Sequence, residues 1–113
     1  MKTCTNTEPK ITEFKLDVRY LAWICAGRKH MTTRRGLLHV HVGDVIEMRA
    51  GDTIVRVEVT GAHFRTLDSL TTRDAEREGF SGVAEMQVAL LHHYPGLKPG
   101  DVLTCIHFQE AKR

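Results

Sequence analysis

The hydrophobic residues in the first third of the chain follow two different spacings. Ile11, Phe14 and Leu16 alternate imperfectly with polar residues, which predicts a short first strand. The apolar spacing then becomes helical, and Asp17 and Gly27 stand where a helix would be capped. We therefore predict a helix over about residues 18–26, whose apolar stripe consists of Val18, Leu21, Ala22 and Cys25.

The middle of the chain alternates more regularly. Val55, Val57 and Val59 fall on one face of an extended segment at residues 53–59. The turn sequence at residues 50–52 joins this segment to an earlier one at residues 45–49, which follows the turn sequence Val42-Gly43-Asp44. The pattern predicts a half-buried antiparallel hairpin.

Two helices and a last strand are predicted in the remaining third. Thr71 and Asp74 have the spacing of a helix capping box, and the short helix that they open should end near Gly79. Ser81 is a candidate N-cap for a helix over about residues 83–92. Its apolar stripe consists of Val83, Met86, Leu90 and Leu91. Turn sequences at residues 94–96 and 98–101 separate it from a strand at residues 102–108.

Together these elements predict an α+β fold, a small and mostly antiparallel β-barrel with two to three helices. The chain has 113 residues, which suits a single domain at residues 11–110 after a flexible N-terminal tail at residues 1–10. No apolar run reaches the ~20 residues of a membrane span, and the N-terminus lacks the apolar core of a signal peptide. Cys4, Cys25 and Cys105 show no metal or redox spacing. We expect a cytoplasmic protein that contacts no membrane and uses no cofactor.

Basic residues are concentrated in one segment, although the net charge is only +2. The segment begins at Gly27 and includes Arg28, Lys29, Arg34 and Arg35, whereas acidic residues concentrate between positions 68 and 85. A cationic patch facing an anionic one would follow.

Side chains alternate between the two faces of a strand, so Thr32 and Arg34 share a face while Lys29 and Thr33 have the opposite parity. To aim Lys29, Thr32 and Arg34 at one point, the chain needs a twist, bulge or irregular turn near residues 30–31.

The pattern Gly27-x-Lys29-x-x-Thr32-x-Arg34 resembles the signature of the ASCH family, a branch of the PUA-like β-barrels. It is most similar to the small bacterial N4-acetylcytidine amidohydrolases, which carry threonine where many members have glutamate. The resemblance extends over about residues 11–108. It includes the Gly43-Asp44 turn, an acidic helix within residues 67–79, and the turn at residues 94–96.

The resemblance implies hydrolysis of the acetyl amide of N4-acetylcytidine to cytidine and acetate. It implies Lys29, Thr32 and Glu78 as catalytic groups, and a small modified nucleoside as the ligand. Asp74 and Glu76 are near neighbours of Glu78, but a capping Asp74 would leave Glu78 to face the site. The substrate-binding residues would be Arg34, Arg28, Gly27 and Tyr94. The chain departs from the subgroup in its tail, in His30 and in an insertion at residues 35–41, which could line the pocket mouth.

Two mechanisms use the same residues. In the first, Thr32 is the nucleophile and Lys29 its base, if burial and neighbouring cations lower the lysine pKa. Glu78 would then orient Lys29 or handle the water that resolves the acyl intermediate. In the second, Lys29 and Arg34 stabilise the oxyanion while Glu78 activates water directly.

Other functions use the same features differently. PUA-like barrels often bind RNA, and the basic cluster at residues 28–35 suits phosphates, so a non-catalytic RNA-binding module is the alternative. No residue pattern supports a nuclease or a protein-binding module. His39 and His41, predicted on a strand, and the pair His92-His93 lack further metal ligands at suitable spacing, so we predict no metal. Three aromatic residues could stack a base, although two of them suit the first helix as packing residues. They are Tyr20, Trp23 and Tyr94.

Overall fold

The computed structural model describes residues 11–111, and the tail predicted at residues 1–10 lies outside them. In chain order the elements are β1 (Glu13–Lys15), α1 (Val18–Cys25), β2 (Met31–Arg35), β3 (Val45–Ala50), β4 (Thr53–Thr66), a 3₁₀ turn (Leu67–Ser69), α2 (Thr72–Glu78), α3 (Val83–His93) and β5 (Val102–Glu110). None of the helices in this part of the chain has the length and apolar character needed to cross a membrane.

The strands form one sheet in the order β1-β3-β4-β5-β2. β1 pairs with β3 in parallel, and the other neighbouring strands are antiparallel. The sheet curls into a half-barrel that carries the helices, which confirms the predicted α+β architecture. β2, which carries the second half of the basic segment, lies at one edge of this sheet and pairs with β5.

β4 is longer than predicted. Its Val57 and Val59 are buried as expected, but the strand continues past Val59 to Thr66. The pairing with β5 shifts register at Gly61, where a β-bulge absorbs the irregularity. A glycine inside a strand often marks a bulge, and here it lets the strand bend and continue beyond the predicted end.

The first helix begins at the predicted cap, because the Asp17 side chain accepts a hydrogen bond from Arg19 N at 2.8 Å. Its predicted apolar stripe is correct only at Leu21. The buried residues are Tyr20, Leu21 and Ile24, whereas Val18 is 69% exposed and Ala22 and Cys25 are exposed. A helix of 8 residues can have several faces that are apolar enough to be buried. Which face is buried depends on how the helix packs against the sheet.

The two later helices follow their sequence signals in part. Thr71 and Asp74 form the predicted capping box of α2, which ends at Gly79 with φ +102°. Ser81 is not the N-cap of α3, because Gly82 holds that position and Ser81 donates to Glu85 from its N–H and its hydroxyl. Met86 and Leu90 are buried as predicted, but Leu91 is exposed.

Alternate residues of β5 enter two hydrophobic cores. Ile106 and Phe108 join the core beneath α1, with Leu21, Ile24, Ile46, Met48, Ala50, Val57 and Val59. Leu103 and Cys105 face the other way, into the core beneath α2 and α3, with Met31, Leu67, Leu70, Ala75, Met86, Leu90 and Leu97. This second core fixes α2 against β2 and β5.

Candidate functional site

The segment between α1 and β2 turns Lys29 into the protein. Gly27 adopts φ +76°, a left-handed conformation that glycine tolerates and that lets the chain leave the helix. The N–H groups of Arg28 and Lys29 then both donate to the carbonyl oxygen of Trp23, at 2.8 and 3.1 Å. His30 N donates to Arg77 O at 2.8 Å, which joins the start of β2 to the last turn of α2. The predicted irregular turn is therefore present just before Met31.

Lys29 and Glu78 form a buried ion pair. Lys29 Nζ donates to Glu78 Oε1 and, at 2.8 Å, to the carbonyl oxygen of Met31. The second carboxylate oxygen of Glu78 accepts a hydrogen bond from Thr33 Oγ1 at 2.5 Å. Only 3% of Lys29 and 5% of Glu78 is exposed, so the pair is protected from water. This contact confirms that the basic segment meets the acidic helix.

The environment shifts the proton affinity of Lys29. Burial lowers the pKa of this lysine from its ordinary value of 10.5, because the charged form loses its hydration. Glu78 acts in the opposite direction through charge and hydrogen bonding, whereas the nearby cation Arg34 lowers the pKa further. An amine so placed can give up its proton nearer to neutral pH than an exposed lysine does.

The ion pair borders a cavity of about 240 Å³. Both polar and apolar side chains line it, a combination that is typical of a site that orients a small molecule. The lining residues are Lys15, Leu16, Asp17, Tyr20, Lys29, Thr32, Thr33, Arg34, Glu78, Phe80, Met86, Ala89, Leu90, His93 and Tyr94.

Most of the site residues predicted from the sequence meet here. Lys29, Thr32, Glu78, Arg34 and Tyr94 all line the cavity.

Arg28 and Gly27 do not line it. The guanidinium of Arg28 lies 3.8 Å from the centre of the Trp23 ring, and its Nε donates to Gly79 O at 2.8 Å. Arg28 therefore braces α1 against the end of α2, and Gly27 shapes the turn.

Thr33 is the main residue that the sequence reasoning missed. Thr32 lines the cavity and its hydroxyl makes no hydrogen bond to another described residue, whereas the Thr33 hydroxyl donates to Glu78. Parity along the strand was the available signal, since Lys29, Met31 and Thr33 alternate with Thr32 and Arg34. Phe80 and His93 also line the cavity and were missed, because they lie outside the segments that resemble the family signature.

Arg34 presents an unused donor. Its guanidinium stacks 4.3 Å from the centre of the Phe14 ring, and Nη2 is 3.4 Å from Lys15 O. Its Nε is buried and has no hydrogen-bond partner among residues 11–111. A buried N–H without an acceptor is costly, so an oxygen of a bound molecule would satisfy it.

The remaining candidates lie elsewhere. The insertion at residues 35–41 does not line the cavity, and Leu38 packs on the first core instead. His39 and His41 lie in the loop after β2 rather than on a strand. Residues 11–111 contain no cluster of three or more side chains able to hold a metal ion. Cys105 is no nucleophile, because burial raises the pKa of its thiol to about 12.

Comparisons with known proteins identify the fold. The chain matches no family model and no curated protein. An ASCH domain from Lactobacillus crispatus superposes with a TM-score of 0.74 at 19% identity, covering 89% of this chain and 79% of that one. A protein from Enterococcus faecalis gives 0.68 at 14% identity, covering 92% and 82%. A variant of an ASCH protein from Zymomonas mobilis gives 0.62 at 12% identity, covering 90% and 70%. The chain therefore has the fold of ASCH domains.

Proposed function

We propose that this protein is an amidohydrolase that removes the acetyl group from N4-acetylcytidine, or from a related N4-acylated cytidine. The observation that carries the proposal is the buried contact of Lys29 with Glu78 beside a cavity that Thr32 also lines, its hydroxyl making no hydrogen bond within residues 11–111. The resemblance to the N4-acetylcytidine amidohydrolases implies catalytic roles for Lys29 and Thr32, which belong to the signature, and for Glu78, which belongs to the acidic helix. The ASCH fold supports the same assignment.

In the proposed first step, Thr32 Oγ1 attacks the acetyl carbonyl carbon while neutral Lys29 accepts the hydroxyl proton. The lowered pKa of Lys29 makes its neutral form more accessible. Negative charge develops on the carbonyl oxygen, and Arg34 Nε, which has no hydrogen-bond partner among residues 11–111, supplies an N–H to it.

In the second step, the tetrahedral intermediate collapses and the C–N bond breaks. The Lys29 ammonium returns the proton to the departing N4 amine of cytidine, leaving an acetyl ester on Thr32. Water then attacks this ester while Lys29 accepts one of its protons, and Lys29 returns that proton to Thr32 Oγ1 as the ester C–O bond breaks. The product leaves as acetic acid, which releases a proton to solvent to become acetate, so Thr32 and neutral Lys29 are both restored. Glu78 keeps Lys29 aligned through both half-reactions, and Thr33 keeps Glu78 aligned.

The apolar and aromatic lining suits a flat base with a small acyl group. Tyr20, Phe80 and Tyr94 offer ring faces and edges for packing against a pyrimidine. Phe80 already contacts Tyr20 edge-on, with ring centres 6.0 Å apart, so this wall is fixed before a ligand binds. Met86 and Leu90 make the deeper wall apolar, which suits an acetyl methyl group.

The decisive experiment measures conversion of N4-acetylcytidine to cytidine and acetate by the purified protein. We expect turnover by the wild type and its loss in Glu78→Gln and Thr32→Val. Glu76→Gln, an exposed carboxylate on the same helix, is the matched control and should retain full turnover. A folded wild-type protein that releases no acetate would refute the proposal.

The RNA-binding alternative has less support. Of the basic cluster, Lys29 is buried on Glu78, Arg28 packs on Trp23, and Arg35 lies 3.7 Å from Asp101. These cations do not form one continuous phosphate-binding strip. An RNA-binding module would show affinity that falls with salt, with a log–log slope of about −0.7 to −0.9 per phosphate contact.

A further inference from the structure

A second cavity, of about 280 Å³, also borders α2 but shares no lining residue with the first. Its walls come from β4, β5 and α2, and most of its side chains are basic. They are His63, Arg65, Thr71, Arg73, Asp74, Arg77 and His107. The β-bulge at Gly61 places His63 and Arg65 on the same face as His107.

A chain of hydrogen bonds runs along this cavity from Arg77 to Asp74, and every donor in it points towards Asp74. Arg77 Nη1 can only donate, so His107 Nδ1, at 3.0 Å, accepts. The proton of His107 is therefore on Nε2, which donates to His63 Nδ1 at 2.7 Å. His63 Nε2 then donates to Asp74 Oδ1 at 3.0 Å. Each imidazole carries one proton in this arrangement and adds no charge.

Asp74 is the only carboxylate among the lining residues, and its oxygens are already used. Oδ2 accepts from Arg65 Nε at 2.8 Å and from Thr71 N at 2.9 Å, while Oδ1 accepts from His63. Arg73 makes no side-chain hydrogen bond or ion pair with another described residue. The remaining N–H groups of Arg65 and Arg77 also donate no hydrogen bond to another described residue. Three guanidinium groups thus line the cavity with one carboxylate, and most of their N–H donors have no acceptor among the described residues.

From this excess of positive charge and free N–H groups, we propose that the second cavity is a binding site for a phosphate group. A tetrahedral oxyanion offers several acceptor oxygens, which planar guanidinium forks bind in pairs. The site is distinct from the proposed catalytic pocket and goes beyond the deacetylation reaction. The chemistry fits a phosphate monoester, such as a free nucleotide, and equally a phosphate in an RNA backbone.

The test uses inorganic phosphate as the probe, at constant ionic strength, with NMR of the His63 and His107 imidazole signals as the readout. We expect saturable shifts of both signals in the millimolar range. Arg73→Gln, which removes an exposed guanidinium without a hydrogen bond or ion pair to residues 11–111, should weaken binding about tenfold. Arg56→Gln is the matched control, because Arg56 is on the same strand as His63 but lines neither cavity.

Two further probes distinguish the sources of the phosphate. A nucleoside 5′-monophosphate that displaces inorganic phosphate, while RNA without terminal phosphates does not, assigns the site to free monoesters. Displacement by that RNA assigns it to the nucleic-acid backbone, and both outcomes support the site. The absence of saturable shifts, or equal weakening by Arg56→Gln and Arg73→Gln, would overturn it.

Discussion

Thr33 Oγ1 lies 2.5 Å from Glu78 Oε2, while the other oxygen of the same carboxylate contacts Lys29. The carboxylate of Glu78 is thus held between a hydroxyl on β2 and an amine in the turn before it. These contacts join residues 45 and 49 positions apart in the chain. They fix α2 to the strand at the edge of the sheet. The candidate catalytic residue Glu78 therefore also contributes to the tertiary structure.

The Lys29–Glu78 pair should be costly to break from one side. Lys29→Met leaves the Glu78 carboxylate buried without its main partner, and we expect a loss of about 3–5 kcal/mol of unfolding free energy. The double variant Lys29→Met/Glu78→Leu removes both charges and should be more stable than the single variant. Denaturant unfolding measures both. A double variant less stable than Lys29→Met would contradict this account.

Thr32 and Thr33 should separate activity from stability. Thr33→Val keeps the side-chain shape but removes a donor to a buried carboxylate, at a cost of about 1–3 kcal/mol of unfolding free energy. Thr32→Val removes a hydroxyl that has no hydrogen-bond partner in the described part of the chain, and should change stability by about 0.5 kcal/mol or less.

The proposed mechanism nevertheless requires Thr32→Val to abolish acetate release. Mass spectrometry of the wild type quenched during turnover should show one added acetyl group, absent from Thr32→Val. Undiminished acetate release by Thr32→Val would instead favour direct attack by water activated by Glu78.

The pH dependence of kcat/KM should report Lys29. Because the mechanism uses the neutral amine, activity should rise with pH through an apparent pKa below the ordinary lysine value of 10.5, lowered mainly by burial. Arg34 also lowers this pKa, so Arg34→Gln should move the rise to higher pH. Arg34→Lys keeps the positive charge and should leave the rise nearer its wild-type position. If the apparent pKa of kcat/KM were the same in Arg34→Gln as in the wild type, Lys29 would be excluded as the titrating base.

Asp74 should stabilise the protein most above its own pKa. Burial alone would raise the pKa of Asp74, but hydrogen bonds from Thr71, Arg65 and His63 outweigh it and hold the pKa below 3.8. A carboxylate with a depressed folded-state pKa stabilises the fold above its unfolded-state pKa, and this contribution is lost as the pH falls through the folded-state value.

Asp74→Asn should therefore cost about 1–3 kcal/mol of unfolding free energy at neutral pH, and less as the pH falls below about 4. Unfolding measured at a series of pH values tests this, with Glu76→Gln as the exposed control. A cost that is the same at every pH would show that ionisation of Asp74 contributes nothing.

Gly79 should not tolerate a side chain. Its φ of +102° strains any other residue, and a Cβ there would lie 2.8 Å from Trp23 Cε3. We expect Gly79→Ala to lose at least about 1–2 kcal/mol of unfolding free energy from the backbone strain alone. Gly100→Ala, where a Cβ would meet nothing within 4 Å, should stay within about 0.5 kcal/mol of the wild type. Equal melting temperatures for the two variants would contradict the expected strain.

Features encoded by neighbouring residues were predictable from the sequence. The capping box of Thr71 and Asp74, the Asp17 cap, and the turn at residues 50–52 all depend on side chains within a few positions of the backbone groups that they bind. The resemblance to the ASCH family predicted, in addition, that Lys29 and Glu78 belong to one site. No local pattern contains that contact, because the two residues belong to different elements.

The errors arise where distant parts of the chain decide the outcome. Val18 is exposed because the sheet covers the side of α1 that carries Leu21 and Ile24. Arg28 has the same charge as its neighbours, but Trp23 and Gly79 O are closer partners than the cavity. Thr33 takes the Glu78 hydrogen bond because α2 packs on its side of β2, which depends on the second core.

The position of β2 at the edge of the sheet has a consequence for the order of folding. The hairpin of β3 and β4 closes over a two-residue turn, whereas the nearest pair between β2 and β5, Arg35 with Leu103, is 68 positions apart (103 − 35). Closing so long a loop costs more chain entropy and delays this pairing. During synthesis, the hairpin can form while β5 is still inside the ribosome. β2 carries Thr32 and Thr33 of the candidate site and pairs with β5, so we expect the site to assemble after the hairpin.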